Sequence, residues 1–224
     1  MANRFWVAGT ETWNSTAGAK WGTLSGVADS ASLPGTGDVA IFDALSGGGT
    51  VTVDSPNGAG VVTVQSITMG AFTGTLDFSA NNNNVTLQSF SGTGTGVRTL
   101  NMGNGTWTLT TFNANVWDAT VVTNFTLNAN LSTLSFIPSS ATPTGVINFI
   151  GGGKTYNIVT HSGITSASLF SISGAPTIAT LQFTAPVNVQ FANGTTTTIS
   201  NAFTWTGSSS NQLFISSDNT QASA

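Results

Sequence analysis

The stretch Arg98–Phe136, RTLNMGNGTWTLTTFNANVWDATVVTNFTLNANLSTLSF, decides how the chain is read. Its apolar residues fall in short alternating groups: Leu100 and Met102, Trp107 and Leu109, Val121, Phe125 and Leu127, Leu131, then Leu134 and Phe136. Gly, Asn, Ser and Thr separate them. A period of two places alternate side chains on one face, which is the pattern of a half-buried strand, and no run keeps the i, i+3, i+4 spacing of an amphipathic helix for two turns. Val, Thr, Phe and Trp suit a pleated surface, while Asn and Gly tolerate the backbone angles of tight corners. Each group therefore reads as one short strand between two corners.

The same grammar continues through Val146–Ile150, Tyr156–Val159, Leu169–Ile172, Ile178–Phe183, Val187–Phe191, Ile199–Trp205 and Leu213–Ile215. Upstream, Val61–Met69, Thr75–Phe78 and Val85–Phe90 make a first full coil, with corners at Gly70–Gly74 and Ser79–Asn84. The run Asn81–Asn84 reads as a loop or as a ladder of stacked amides. Phe72, Phe78, Phe90, Phe112, Phe125, Phe136, Phe183, Phe191, Phe203 and Phe214 are expected to include internal aromatic stacks. Many short strands with almost no charge point to an all-β parallel β-helix, a β-solenoid of stacked coils. An antiparallel β-sandwich or jelly roll stays open. Asn57-Gly58, Asn104-Gly105 and Asn193-Gly194 each lie between strand-like runs, and Asn-Gly is a strong hairpin signal. Met102–Thr106 in particular would join two antiparallel strands.

Composition narrows the function classes. Charged residues are 5% of the 224-residue chain, against roughly 25% in ordinary soluble domains. Four Lys and Arg against eight acids, for a net charge of −4, leave no basic footprint for nucleic acid. The chain is too polar between its strands to span a membrane as a helix. Cys is absent, which removes disulfides and thiolate metal sites. The N-terminus, MANRFWVAGTETW, lacks the apolar core of a secretory signal.

Residues 1–54 differ from the rest. They hold Trp6, Trp13 and Trp21 and a Gly/Ser/Pro-rich loop, with Asp38–Asp43 as a strand opened by Pro34-Gly35 and closed by Gly47–Gly49. A stack of coils has raw apolar ends, so an aromatic-rich terminal segment is expected to cap it. The reading is a cap and docking segment over 1–54, a solenoid body over 55–217 and a tail over 218–224.

The inventory for chemistry is thin. His161 is the only histidine and has no acidic neighbour in sequence, so no base is placed beside a nucleophile. Glu11, Asp29, Asp38, Asp43, Asp54, Asp77, Asp118 and Asp218 sit mostly beside turn residues, and a glycosidase pair would need two of them to meet at long range. Asp38, Asp43 and Asp54 are the closest acidic grouping, but without the dense spacing of a dedicated Ca²⁺ loop. No catalytic, cofactor or metal residue is assigned. Binding is the better reading. Trp117, Tyr156 and Trp205 carry flat aromatic faces that would stack on sugar rings if exposed; Trp107 shares the chemistry but sits as a core position.

The segments RFWVAGTETWNSTAGAKW and SLPGTGDVAIFDALSGGGTVTV resemble the opening module of Thr/Gly-rich β-helix proteins of tailed bacteriophages, marine ones in particular, and related patterns introduce β-helical autotransporter passengers. GTWTL with VWDAT, and GGGKTYNIVTHSG with VQFANGTTTTIS, also look like the phage proteins. The resemblance implies a non-enzymatic structural or adhesive protein on a virion surface, as capsid decoration or as a fibre or spike element. It implies other virion proteins as partners, with host glycans as targets. A bacterial cell-surface adhesin is the alternative, and a polysaccharide-degrading β-helix enzyme the third reading. Exposed strand edges invite pairing, so a homo-oligomer such as a homotrimer is expected.

Overall fold

The computed structural model describes residues 1–16, 18–111, 114–138, 145–162 and 169–218; Phe112 and the tail residues 219–224 lie outside them. The chain is an all-β parallel solenoid of about 7 turns. It opens with β1 (Ala2–Trp6), β2 (Glu11–Trp13) and β3 (Trp21–Gly22). Three-strand coils follow: β4 (Asp38–Phe42), β5 (Thr50–Val53), β6 (Val61–Thr63); β7 (Ser66–Met69), β8 (Gly74–Asp77), β9 (Asn84–Leu87); β10 (Ser89–Ser91), β11 (Arg98–Asn101), β12 (Thr106–Leu109); β13 (Ala114–Asp118), β14 (Phe125–Asn128), β15 (Thr133–Phe136). Two-strand coils complete the stack: β16 (Val146–Ile150), β17 (Thr155–Ser162); β18 (Leu169–Ser173), β19 (Thr177–Thr184); β20 (Val187–Phe191), β21 (Thr198–Thr206); and last β22 (Leu213–Ser217).

The strands build three sheets. The first runs β22-β20-β18-β16-β13-β10-β7-β4-β1-β3, the second β14-β11-β8-β5-β2 and the third β21-β19-β17-β15-β12-β9-β6. Every pairing is parallel except β1 with β3. After β14 no described strand joins the second sheet, so the cross-section passes from three-sided to two-sided.

The Asn-Gly hairpins are not formed. A type I′ turn needs positive φ at both central residues. At Asn104-Gly105 neither residue has it; Gly103 does, with φ 72°. Gly105 is needed for a different reason, since a Cβ there would stand 2.1 Å from the Asn83 carbonyl of the neighbouring coil. The segment is a corner pressed against the coil before it. The apolar runs Val61–Met69 and Val85–Phe90 are each two strands, broken where Gln65 and Gln88 turn the chain; Gln88 N–H donates to the Gln65 carbonyl one coil away at 2.7 Å. Asn81–Asn84 is likewise a bonded corner. Asn82 Oδ1 accepts from Asn104 N–H and Asn84 Oδ1 from Thr106 N–H, at 2.8 and 2.9 Å. Amide-to-amide steps occur elsewhere, from Asn128 to Asn101 at 2.7 Å and from Asn148 to Asn115 at 3.1 Å.

Parallel register stacks like on like. One inward column is Ala40, Ile67, Phe90, Trp117, Phe149, Ile172 and Phe191. Another is Leu87, Leu109, Phe136, His161, Phe183 and Trp205. Beside the second column on the same sheet runs the polar row Thr86, Thr108, Ser135, Thr160, Gln182 and Thr204. Phe72, Phe78, Phe90, Phe125, Phe136 and Phe183 are buried as expected, whereas Phe214 is exposed. Each buried large aromatic removes roughly 150–250 Å² from water, worth about 4–6 kcal/mol before entropy is charged against it. With no helix among the described residues and so few charges, the chain holds together on this continuous core.

Candidate functional site

In a solenoid each coil satisfies the backbone of the next, so contact with anything else is decided where a strand has no next coil. The three sheets have six such ends, β3 and β22, β2 and β14, β6 and β21. At the N-terminal end of the first sheet, β3 lies antiparallel on β1, with Phe5 opposite Gly22 and Trp6 opposite Trp21. At that end of the second sheet, Asp54 N–H bonds Trp13 O, so by alternation Thr12 O faces away from the stack; Lys20 Nζ donates to it at 2.8 Å and lies 3.8 Å from Glu11. Trp6, Trp13 and Trp21 pack edge to face below this layer, with centroids 5.2 Å apart for both pairs that include Trp21.

The second sheet ends at β14 by the same device. Asn124 O and Asn128 O accept from Arg98 N–H on β11 and from Met102 N–H just after it, so Phe125 O faces the free side. Lys154 Nζ donates to it, in the place of a further coil's N–H. Burial and the charge of Arg98 hold the Lys154 ammonium below its usual range. Arg98 itself is buried inside the corner, where its guanidinium donates to the carbonyls of Gly92, Gly96, Val121 and Thr123 and lies 4.8 Å from the Phe125 ring. Among the described residues the two ion pairs are Arg4–Asp38 and Lys20–Glu11, so both of these cations are compensated by carbonyls.

The C-terminal end is different. β21 and β22 are the last strands of their sheets. Trp205 ends the inward column below Phe183, and Ile215 ends another that runs through Phe170 and Val189. With no described strand stacked on them, Trp205 is 62% exposed, Ile215 55% and Phe214 53%. Phe203, Trp205, Leu213 and Ile215 line a hollow of about 500 Å³ rimmed by Ser208, Asn211 and Gln212. No residue from Thr155 to Ser217 is Asp, Glu, Lys or Arg. Among the described residues this aromatic end, with Asp218 accepting from Asn193 N–H as its one charge, is the candidate site.

Two of the three expected aromatic contacts are corrected. Trp117 and Tyr156 are 0% and 1% exposed and belong to the core. Trp117 Nε1 donates to Tyr156 Oη at 2.9 Å, and Tyr156 Oη donates to Gly151 O at 3.0 Å. The reason is a bulge: register shifts between Asn115 and Trp117, which buries Val116 and Trp117 together and breaks the alternation. Trp6, Trp13 and Trp21 are fully buried too, so their rings pack inside the fold and are not themselves a docking face. Trp205 alone of the six named aromatics faces solvent.

The groups able to do chemistry hold the fold. His161 is buried and stacked on Phe170 at 4.7 Å, and its Nδ1 bonds Phe136 O at 3.0 Å. Burial lowers its pKa to about 4. Asp43, Asp77 and Asp118 accept turn bonds from Leu45 N–H, Ser79 N–H and Thr120 N–H. Asp38 accepts from Ala2 N–H and Gly35 N–H. Among the described residues no group of three or more His, Asp or Glu could hold a metal, so Asp38, Asp43 and Asp54 do not converge. The sequence matches no protein-family model, and no curated protein or solved structure matches it.

Proposed function

We propose that the protein is a non-enzymatic structural element of a tailed-phage virion, displayed on the particle as capsid decoration or as part of a fibre or spike. The observation that supports this reading most is the parallel stack of about 7 coils, a rod that grows by roughly 4.8 Å per coil and whose side chains keep register between coils apart from shifts between Asn115 and Trp117 and between Ile178 and Thr180. Its polar rows of Thr, Ser and Asn offer a shape to neighbours. Its histidine and most of its carboxylates stabilise columns and corners. The phage resemblance of the Trp-rich opening and of the GTWTL and GGGKTYNIVTHSG segments supports the same reading. The cap falls within residues 1–37, with β3 and Lys20 closing strand edges and the Trp6–Trp13–Trp21 cluster filling the end of the core, because residues 38–53 of the expected 1–54 segment carry β4 and β5 of the first coil.

The experiment is to purify particles from lysed host cells on a density gradient and quantify this chain by mass spectrometry and antibody labelling. Many copies per particle, labelled from outside, is the expected result. Recovery only in the bacterial envelope would replace this reading with the adhesin. A shortened capsular polysaccharide after incubation with the purified chain would replace it with the enzyme.

A further inference from the structure

We propose that the shelf left where the second sheet stops at β14 is a binding site for an acidic polysaccharide, one whose charged sugars alternate with neutral ones. The site adds a ligand to the virion reading and does not depend on it. The shelf lies in mid-stack, with described strands of the other two sheets on both sides of it. β14 pairs with β11 alone. Phe125 O and, by the same alternation, the Leu127 N–H and carbonyl face the side where no described strand pairs. Two hollows adjoin there, at Lys154 and Thr155. The first, of about 510 Å³, is lined by Thr120, Val122, Gly152, Gly153, Lys154 and Ala175. The second, of about 360 Å³, is lined by Leu127, Asn128, Asn130, Thr155 and Asn157. One carries a charge beside small apolar groups, the other amides and a hydroxyl.

The charge is not neutralised by an acid. An ammonium has three N–H donors. Lys154 Nζ uses two, on Phe125 O and on Val122 O at 3.4 Å, which leaves the third. It lies 5.6 Å from the centroid of the Phe125 ring, and the Arg98 guanidinium lies 4.8 Å from the same centroid. Among the described residues neither cation forms an ion pair. Asp118, the acid nearest in sequence to the rim, accepts from Thr120 and Asn115. Carbonyls satisfy the hydrogen bonds of Arg98 and Lys154 but leave two positive charges beside a hollow, which draws an anion to it. The occupant follows from the rest of the lining. Lys154 on the edge stops a protein strand from continuing the ladder. One accessible ammonium on a chain of net charge −4 does not match nucleic acid, which carries a phosphate on every unit. A polysaccharide with spaced charges fits: its anionic group meets Lys154, and the hydroxyls of the next, neutral sugar meet Asn128, Asn130, Thr155, Asn157 and the Leu127 backbone.

The test titrates the purified full chain with three oligosaccharides, each to about 1 mM, by calorimetry and amide NMR. A hyaluronan fragment alternates a uronic acid with a neutral N-acetyl sugar, a keratan sulfate fragment carries its charge as sulfate, and a chitin fragment is neutral. At least one acidic fragment should bind and the chitin fragment should not, with amide shifts centred on Gly152, Gly153 and Asn130; the fragment that binds names the anionic group. Val122→Glu, which sets a like charge on the exposed rim, and Lys154→Gln should each weaken binding roughly tenfold or more. Leu45→Glu, exposed in the first coil, should leave it unchanged. Val122→Glu keeps the Lys154 side chain, so unaltered circular dichroism and melting of that variant separate lost binding from lost folding. No binding of either acidic fragment, equal binding of the chitin fragment, shifts centred away from the shelf, or full binding by Val122→Glu would each overturn the proposal and leave the particle experiment untouched.

Discussion

His161 offers a prediction whose size can be worked from its surroundings. It stands in the inward column between Phe136 and Phe183, its ring parallel to Phe170, and its Nε2 is buried with no partner. No charged side chain is in register with it, above or below. Burial therefore favours the neutral ring and lowers its pKa from 6.5 to about 4, while the bond to Phe136 O pulls weakly the other way. A base whose folded pKa is lowered is bound by more protons when unfolded, so stability is full above about pH 6.5 and falls as pH drops toward 4. Below that it levels off. At about 1.4 kcal/mol per pH unit the loss is on the order of 3 kcal/mol. His161→Phe keeps a ring of similar shape in the column, removes the titration and forfeits one hydrogen bond, about 1 kcal/mol at neutral pH. Denaturant unfolding of both proteins at half-unit steps from pH 7.5 to about 3.5 is the assay. The two proteins differ only at residue 161, so the difference between the two curves isolates His161, the chain's only histidine. Wild type should lose ground to the variant steadily between pH 6.5 and 4. Parallel curves over that range would refute the buried neutral imidazole.

Other substitutions follow from the same contacts. Arg98→Met leaves the carbonyls of Gly92, Gly96, Val121 and Thr123 without their donor and should cost about 3 kcal/mol or more, read from the denaturation midpoint. Lys154→Met uncovers Phe125 O on the β14 edge; a loss of about 1–2 kcal/mol with increased light scattering at high concentration is expected. Trp117→Ala should cost about 3–5 kcal/mol and Trp205→Ala under about 1 kcal/mol in dilute monomer, because the first opens a core cavity and the second trims an exposed ring. Equal costs would contradict the assignment of one to the core and the other to the surface.

The strands were legible in the sequence because each is short and keeps its period: Trp107 with Leu109 and Leu134 with Phe136 all point inward, as their alternation says. The parallel stacking was legible only as one of two options. Asn-Gly marks a place where the chain bends, and a corner and a hairpin both bend; which one forms depends on whether the flanking strands pair with each other or with strands a coil away. Trp117 and Tyr156 could not be placed on a face beforehand, since a bulge between Asn115 and Trp117 shifts the orientation of Trp117 and its Tyr156 partner lies 39 residues away. The change from three sheets to two after β14 left no local signal either. Its visible agent is Lys154, which reads in sequence as an ordinary surface charge and acts as a stop for a sheet formed 29 residues earlier. The aromatic end was hidden for a similar reason. Trp205 sits among Thr residues like any inward strand residue, and it is exposed because β21 is the last described strand of its sheet.

The Cys-free chain allows the parallel register to be tested by paired cysteines. In the solenoid Thr99 and Thr126 are outward neighbours one coil apart, whereas a hairpin turning at Asn104-Gly105 would set Asn101 beside Thr108. A disulfide needs Cα atoms about 4.4–6.8 Å apart. Thr99→Cys with Thr126→Cys should oxidise to an intramolecular disulfide in the folded protein, and Asn101→Cys with Thr108→Cys should stay reduced. The opposite pattern would contradict the stacked parallel coils on which the whole account stands.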